Sequence, residues 1–219
     1  YRHPLETLEF FGLKPDMNIV ELSPGGGWYT EILAIFMYDE GQLIAAHYDA
    51  NQGDYQKRSR LKYENLLSES PIYKKVKLVN LGSKLADTRS VDAILTFRNL
   101  HNWLGNSELK IETILNQSYA ALKSGGVLGV VEHRAKPGTN LEEMKKSGYV
   151  TEKLAISLAK KAGFDFISSS EINSNPRDTK DHPKGVWTLP PSYRLEDKDR
   201  EKYQQIGESD RMTLLFKKP

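Results

Sequence analysis

The chain has 219 residues, 38% of them hydrophobic and 27% charged, and its 31 basic against 29 acidic side chains leave a formal charge of +2. That length can bury a substantial core, while a near-neutral balance gives no electrostatic footprint for a nucleic-acid binder. The longest apolar run, 32–38, falls far short of the roughly 18 residues a membrane span needs, and the absence of cysteine excludes disulfides, a thiolate nucleophile and Cys-ligated zinc.

In chain order, short β-rich runs alternate with longer helical patterns. Residues 4–11 read as a short helix stopped by Gly12 and Pro15. A strand over 18–22 runs into Ser23-Pro24-Gly25-Gly26-Gly27, and a helix follows over 29–37 with Ile32, Leu33 and Phe36 on one side. A second strand covers 42–46, a charged helix 54–67 and a third strand 76–81. Residues 91–97 are almost continuously apolar, as a strand buried on both faces requires. Over 107–122, Ile111, Ile114, Leu115 and Leu122 recur at helical spacing before Ser124-Gly125-Gly126 ends the segment. A fifth strand spans 127–131. Thr151 caps a helix carrying Leu154, Leu158 and Ala162, which Gly163 closes. Residues 164–168 and 212–216 are the last strands, with no ordinary crossover helix between them, which leaves antiparallel pairing open. The alternation predicts an α/β fold with a mostly parallel sheet flanked by helices. No repeat or Gly/Ser linker divides the chain, so one domain is expected over 1–219.

Ligands of open α/β sheets bind beyond the carboxyl ends of the strands. Behind strand one, Glu21 precedes Ser23 and the three glycines Gly25, Gly26 and Gly27, which let a ligand touch bare backbone at a helix start. A dinucleotide loop wants a third small residue, yet Thr30 stands there behind two aromatics, and no P-loop Lys is present. S-adenosylmethionine asks less: a carboxylate ending strand one, then a glycine turn.

On these residues the chain resembles class I S-adenosylmethionine-dependent methyltransferases. More narrowly, it is similar to a group of bacterial predicted methyltransferases with the loop Pro24-Gly25-Gly26-Gly27-Trp28-Tyr29-Thr30-Glu31, and with stretches like 175–183 and 185–191. The resemblance implies a Rossmann-like doubly wound sheet of about seven strands, helices on both faces and an antiparallel last strand. It also implies S-adenosylmethionine as cofactor, with Glu21 and the glycines as contacts. Ser23 replaces the first glycine of the common loop. His47 stands where an acid usually holds the ribose hydroxyls, so either His47 or Asp49 takes that place. Asn80 is a candidate for the adenine edge or an ordinary turn residue, and Arg98, just past strand four, is a further cofactor candidate. No Asp/Asn-Pro-Pro-Tyr tetrapeptide follows strand four, which argues against base amines as acceptors. A small-molecule acceptor is expected.

His47, His101 and His133 follow strands two, four and five, which places all three on the carboxyl rim. Methyl transfer is an in-line displacement whose base is needed only if the nucleophile loses a proton, a task that suits histidine. His133 or His101 is the candidate base, with Arg134 and Arg98 orienting an anionic or polar substrate. The long connection 171–211 reads as a lid, in which Asp178, Asp181, His182 and Trp187 would cover the substrate. A non-catalytic nucleoside-binding protein of the same fold is the alternative. A metal site from His101, His133, Asp181 and His182 lacks any tight ligand pair, so no metal is expected. The start at Tyr1 leaves room for an upstream targeting segment. A cytoplasmic location is expected, with export the alternative.

Overall fold

The computed structural model describes residues 1–106 and 109–219. The first half runs α1 (Pro4–Phe10), β1 (Asn18–Leu22), α2 (Trp28–Phe36), β2 (Gln42–His47), α3 (Asp54–Ser68), β3 (Lys77–Asn80) and β4 (Val91–Phe97). The second half runs α4 (Leu100–Leu104), α5 (Ile111–Ala121), β5 (Leu122–His133), α6 (Leu141–Ser147), α7 (Glu152–Lys161), β6 (Asp165–Ser170), α8 (Arg200–Ile206) and β7 (Arg211–Lys217).

The strands make a seven-stranded sheet in the order β3-β2-β1-β4-β5-β7-β6. Strands β1 to β5 pair in parallel, and β7 runs antiparallel between β5 and β6. The expected mostly parallel sheet with an inverted last strand is therefore present. Side chains of a strand alternate between faces, and the two cores follow that period. Ile19, Ala93 and Leu95 pack with Leu8 of α1 and Leu33 of α2 on one face. Val20, Ile94 and Leu128 pack with Ile114 of α5 and Ala155 of α7 on the other. Each aliphatic side chain so buried contributes about 1.5–3 kcal/mol. Because β1 feeds a helix on one face and β4 feeds helices on the other, a crevice opens between their carboxyl ends.

Some boundaries differ from expectation. The helix expected over 107–122 starts at a residue outside those described; α5 ends at Ala121, because Leu122 already pairs with Val91 in the sheet. Ser124-Gly125-Gly126 consequently lies inside β5 and does not end the helix. The charged stretch 195–205 is helical only from Arg200, after Glu196 and Asp199 take positive φ values of 56°. Sequence reading missed α4 and α6. The start of α6 is a capping box in which Asn140 accepts from the Glu143 N–H and Glu143 accepts from the Asn140 N–H.

Candidate functional site

The turn after β1 is built from the backbone outward. The Ser23 N–H donates to the Ala46 carbonyl at 2.8 Å, and the Gly27 N–H donates to Pro24 at 3.0 Å. Ser23, Gly25 and Gly27 have φ of 51°, 61° and 89°. The three glycines are not equivalent. A Cβ at Gly25 or Gly26 would meet nothing within 4 Å, whereas one at Gly27 would land on Leu66 of α3. Gly27 thus serves helix packing, and Gly25 and Gly26 present open backbone. The Ser23 hydroxyl is buried and has no hydrogen-bond partner among the described residues.

Four expected cofactor contacts are engaged elsewhere. Glu21 is 2% exposed behind the turn, where its Oε2 accepts from the Thr30 hydroxyl at 2.6 Å. That hydroxyl is also 2.9 Å from the Tyr63 hydroxyl, so Glu21 braces β1 against α2 and α3. Burial pushes the Glu21 carboxyl up to about 7, against a smaller opposing effect of Thr30. His47 is fully buried; its Nδ1 accepts from the Tyr48 N–H at 2.8 Å, leaving Nε2 to donate to the Gly25 carbonyl at 3.2 Å. With both nitrogens occupied, His47 fastens the glycine turn to β2 and does not present itself to a ribose. Burial lowers its pKa, which agrees with a neutral ring. Asp49 accepts from Asn51, capping a short 3-10 turn. Asn80 Oδ1 accepts from Arg60 at 2.9 Å.

A cavity of about 500 Å³ opens at the carboxyl ends of β1 and β4, and Ser23, Gly25 and Gly26 form one wall. Asn99 joins the two strands there, its Nδ2 lying 3.2 Å from the carbonyls of Leu22 and Ser23. Arg98, His101, His133 and Trp187 also line the cavity. Arg98 has φ 64°, and burial, reinforced by the charges of Arg211 and Arg2, lowers its guanidinium to about 10.

Between the two histidines lies Glu132, with no exposed surface. It accepts from the backbone N–H of His101 at 3.2 Å and of His133 at 2.7 Å, and lies 3.0 Å from His101 Nδ1. A carboxylate only accepts, so Nδ1 carries the proton and Nε2 keeps its lone pair. Nε2 has no hydrogen-bond partner among the described residues. His133 instead places Nδ1 2.5 Å from the Ser209 hydroxyl. Burial first, then proximity to His101 when that ring is protonated and the charges of Arg211 and Arg98, hold the His133 pKa well below its ordinary value. The two rings, 5.2 Å apart, thus differ: a carboxylate backs one, and positive charge surrounds the other.

Arg134 does not reach the cavity. It makes paired hydrogen bonds to Asp210 at 3.0 Å and to Glu171 at 2.6 Å, tying β5 to both ends of the long connection. Its expected place on the substrate is corrected for that reason. Asp178 is 4% exposed and accepts from Tyr149, His182 and the backbone N–H of Lys180 and Asp210. Asp178 and His182 form a structural knot, and Asp181 is exposed, bound to Thr179. Of the four lid residues only Trp187 lines the cavity, edge-on to His101 at 5.9 Å, with the Arg194 guanidinium 4.5 Å from its ring. From the segment 171–211, residues within 186–194 together with Ser209 and Arg211 line the cavity.

The set His101, His133, Asp181 and His182 is not assembled. The described residues instead bring ligand atoms of His101, Glu132 and His133 within 4.8 Å of one another. Glu132 already takes three N–H groups there, and the positive charge around His133 opposes a cation. Sequence reading missed Glu31, Tyr55, Ser209 and Arg211 as cavity residues. Ser209 and Arg211 carried one signal: the start of an inverted last strand must lie at the carboxyl rim of its parallel neighbours.

No protein-family model matches the chain, and no curated protein does. Solved structures do. A SAM-dependent methyltransferase from Aquifex aeolicus aligns with TM-score 0.57 and 19% identity, covering 77% of this chain and 82% of that one. The cyclase SpnF aligns with TM-score 0.69 and 15% identity over 100% of this chain and 81% of that one. Geranyl diphosphate C-methyltransferase from Streptomyces coelicolor, in complex with Mg2+, geranyl diphosphate and S-adenosyl-L-homocysteine, gives 0.64 and 12% over 99% and 79%. These likenesses show the Rossmann-like methyltransferase fold. A cyclase shares it, so function has to be argued from the site.

Proposed function

We propose that this chain transfers a methyl group from S-adenosylmethionine to a small-molecule acceptor, with His101 as the general base. One observation carries the reading: the open glycine turn and His101, whose Nε2 has no partner among the described residues, line one cavity. The residues fit the cofactor. Gly25 and Gly26 leave room against bare main chain, where no Cβ would meet a neighbour. Bound there, S-adenosylmethionine would supply an electrophilic methyl carbon on a sulfonium.

The chain's own part is to position and deprotonate. Glu132 fixes the His101 tautomer through Nδ1, so Nε2 can take the proton the acceptor loses as its nucleophilic atom bonds to the methyl carbon. The same carboxylate stabilises the imidazolium that results. His133 is poorly suited to that charge among Arg98 and Arg211. Trp187 and Pro190 contribute apolar surface to the same cavity. The similarity to the bacterial group with the Gly-Gly-Gly-Trp-Tyr-Thr-Glu loop belongs to this proposal, as does the organisation of 1–219 as one domain.

Calorimetry with S-adenosylhomocysteine and a labelled-methyl assay against small-molecule extract test the reading. Saturable binding and label transfer are expected. Absence of binding at millimolar ligand overturns the cofactor, and binding without transfer overturns the enzyme.

A further inference from the structure

The cavity holds more positive charge than its described residues neutralise. Arg98 lines it, and its guanidinium makes no hydrogen bond or ion pair with any described residue. Arg211, 2% exposed, donates through Nη1 to the Tyr1 carbonyl at 2.9 Å and pairs through Nη2 with Glu208. Its Nε is buried and has no hydrogen-bond partner among the described residues. Glu208 also serves Arg2 at 3.0 Å, so one carboxylate is shared by two arginines, and Glu208 and Glu132 act on Arg98 only through space, without an ion pair. Arg98 and Arg211 line the main cavity together, and together they border a small void of about 10 Å³ beneath it.

A guanidinium held largely out of water without a directly paired carboxylate is costly. Such a group persists where binding an anion repays the cost. A sulfonium in the same cavity would add to the positive excess, which favours an acceptor of opposite sign. Position agrees with this. Arg211 stands opposite His133 in the β5–β7 pairing, and the Arg98 N–H bonds Val131 of β5, so both lie on the histidine side of the crevice.

We propose that the acceptor carries an oxyanion, a carboxylate or a phosphate, which docks on the Arg98 guanidinium, with the buried charge of Arg211 behind it, and holds the reactive atom toward His101. This assigns Arg98 to the acceptor and replaces Arg134 with Arg211. It rests on the methyl-transfer reading for the use of His101, but the anion site can be tested apart from it.

The experiment titrates inorganic phosphate and acetate, by calorimetry in a low-chloride buffer, into the protein alone and into protein saturated with S-adenosylhomocysteine. Saturable binding of either anion to the loaded protein is expected, and the anion that binds more tightly identifies the group. Arg98→Gln should weaken it at least tenfold and leave S-adenosylhomocysteine affinity within about twofold. Arg211→Lys, which keeps the charge but loses Nε, should weaken it less. Lys84→Gln at an exposed site should change nothing. No binding of either anion overturns the proposal. So does anion binding that S-adenosylhomocysteine abolishes, because Arg98 then holds the cofactor's own carboxylate. Failure of S-adenosylhomocysteine to bind would remove the methyl-transfer reading, while Arg98-dependent anion binding to the protein alone would still establish the oxyanion site.

Discussion

His133 and Arg211 face each other across the pairing of β5 with β7, so the last residue of one strand meets the first of the other. That opposition follows from inversion. The end of a parallel strand lies at the rim where ligands bind, and only an antiparallel neighbour begins there. The inverted strand therefore brings Ser209 and Arg211 to the two histidines, although about 76 residues separate Ser209 from His133 in sequence.

The two histidines are expected to separate in kinetics. His101→Ala should lower turnover by roughly a hundredfold or more, with partial recovery on added imidazole. His133→Ala should cost less than about tenfold, since that ring is kept neutral by burial and cationic neighbours. Glu132→Gln acts through His101 and should lower kcat about tenfold with KM little changed. Steady-state kinetics on the three variants checks the assignment, and a larger loss at His133 than at His101 would reverse it.

The glycines should divide by substitution. Gly26→Ala adds a methyl group into open space at a permitted backbone angle, so thermal stability should hold while S-adenosylhomocysteine affinity falls. Gly27→Ala drives a Cβ into Leu66 at φ 89° and should cost about 1–3 kcal/mol of stability. Melting curves with and without ligand separate the two effects.

Glu21 should oppose stability at neutral and alkaline pH. Its folded pKa, about 7, lies above the ordinary 4.5, so the folded state holds the proton more tightly. Stability from this group is full below pH 4.5 and is lost as pH rises through 7. Glu21→Gln should therefore stabilise the protein above pH 7, by up to about 3 kcal/mol, and make no difference near pH 4. Denaturant melts across that range provide the check; an equal effect at every pH would refute the cause.

Arg134 should matter for stability more than for turnover. Its bonds to Asp210, whose side chain is 4% exposed, tie the long connection to β5. Arg134→Met should cost about 1–3 kcal/mol and make 171–211 more susceptible to limited proteolysis. It should leave kcat/KM within about tenfold, whereas a substrate-orienting role would require a far larger loss.

The sheet was legible because each strand repeats its own evidence. Residues 91–97 are almost continuously apolar and 18–22 lead into a glycine turn, so element type and order could be read locally. Boundaries failed where pairing decided them, as at Leu122, whose helical spacing was overridden by its partner Val91. The capping box at Asn140 and Glu143 was written in the chain and overlooked.

The sequence by itself determined the α/β alternation, the glycine turn and the placing of histidines at strand ends, because periodicity and turn chemistry act over a few residues. Only the tertiary structure decided which polar groups are spent on the protein. His47 and Arg134 have the chemistry of ligand contacts, yet Gly25 and Asp210 absorb them. Arg98 and Arg211 line a cavity, and among the described residues Arg98 has no side-chain partner and Arg211 Nε has none. Hydrogen-bond capacity is a property of the residue, but whether it remains available depends on neighbours that folding brings from distant parts of the chain.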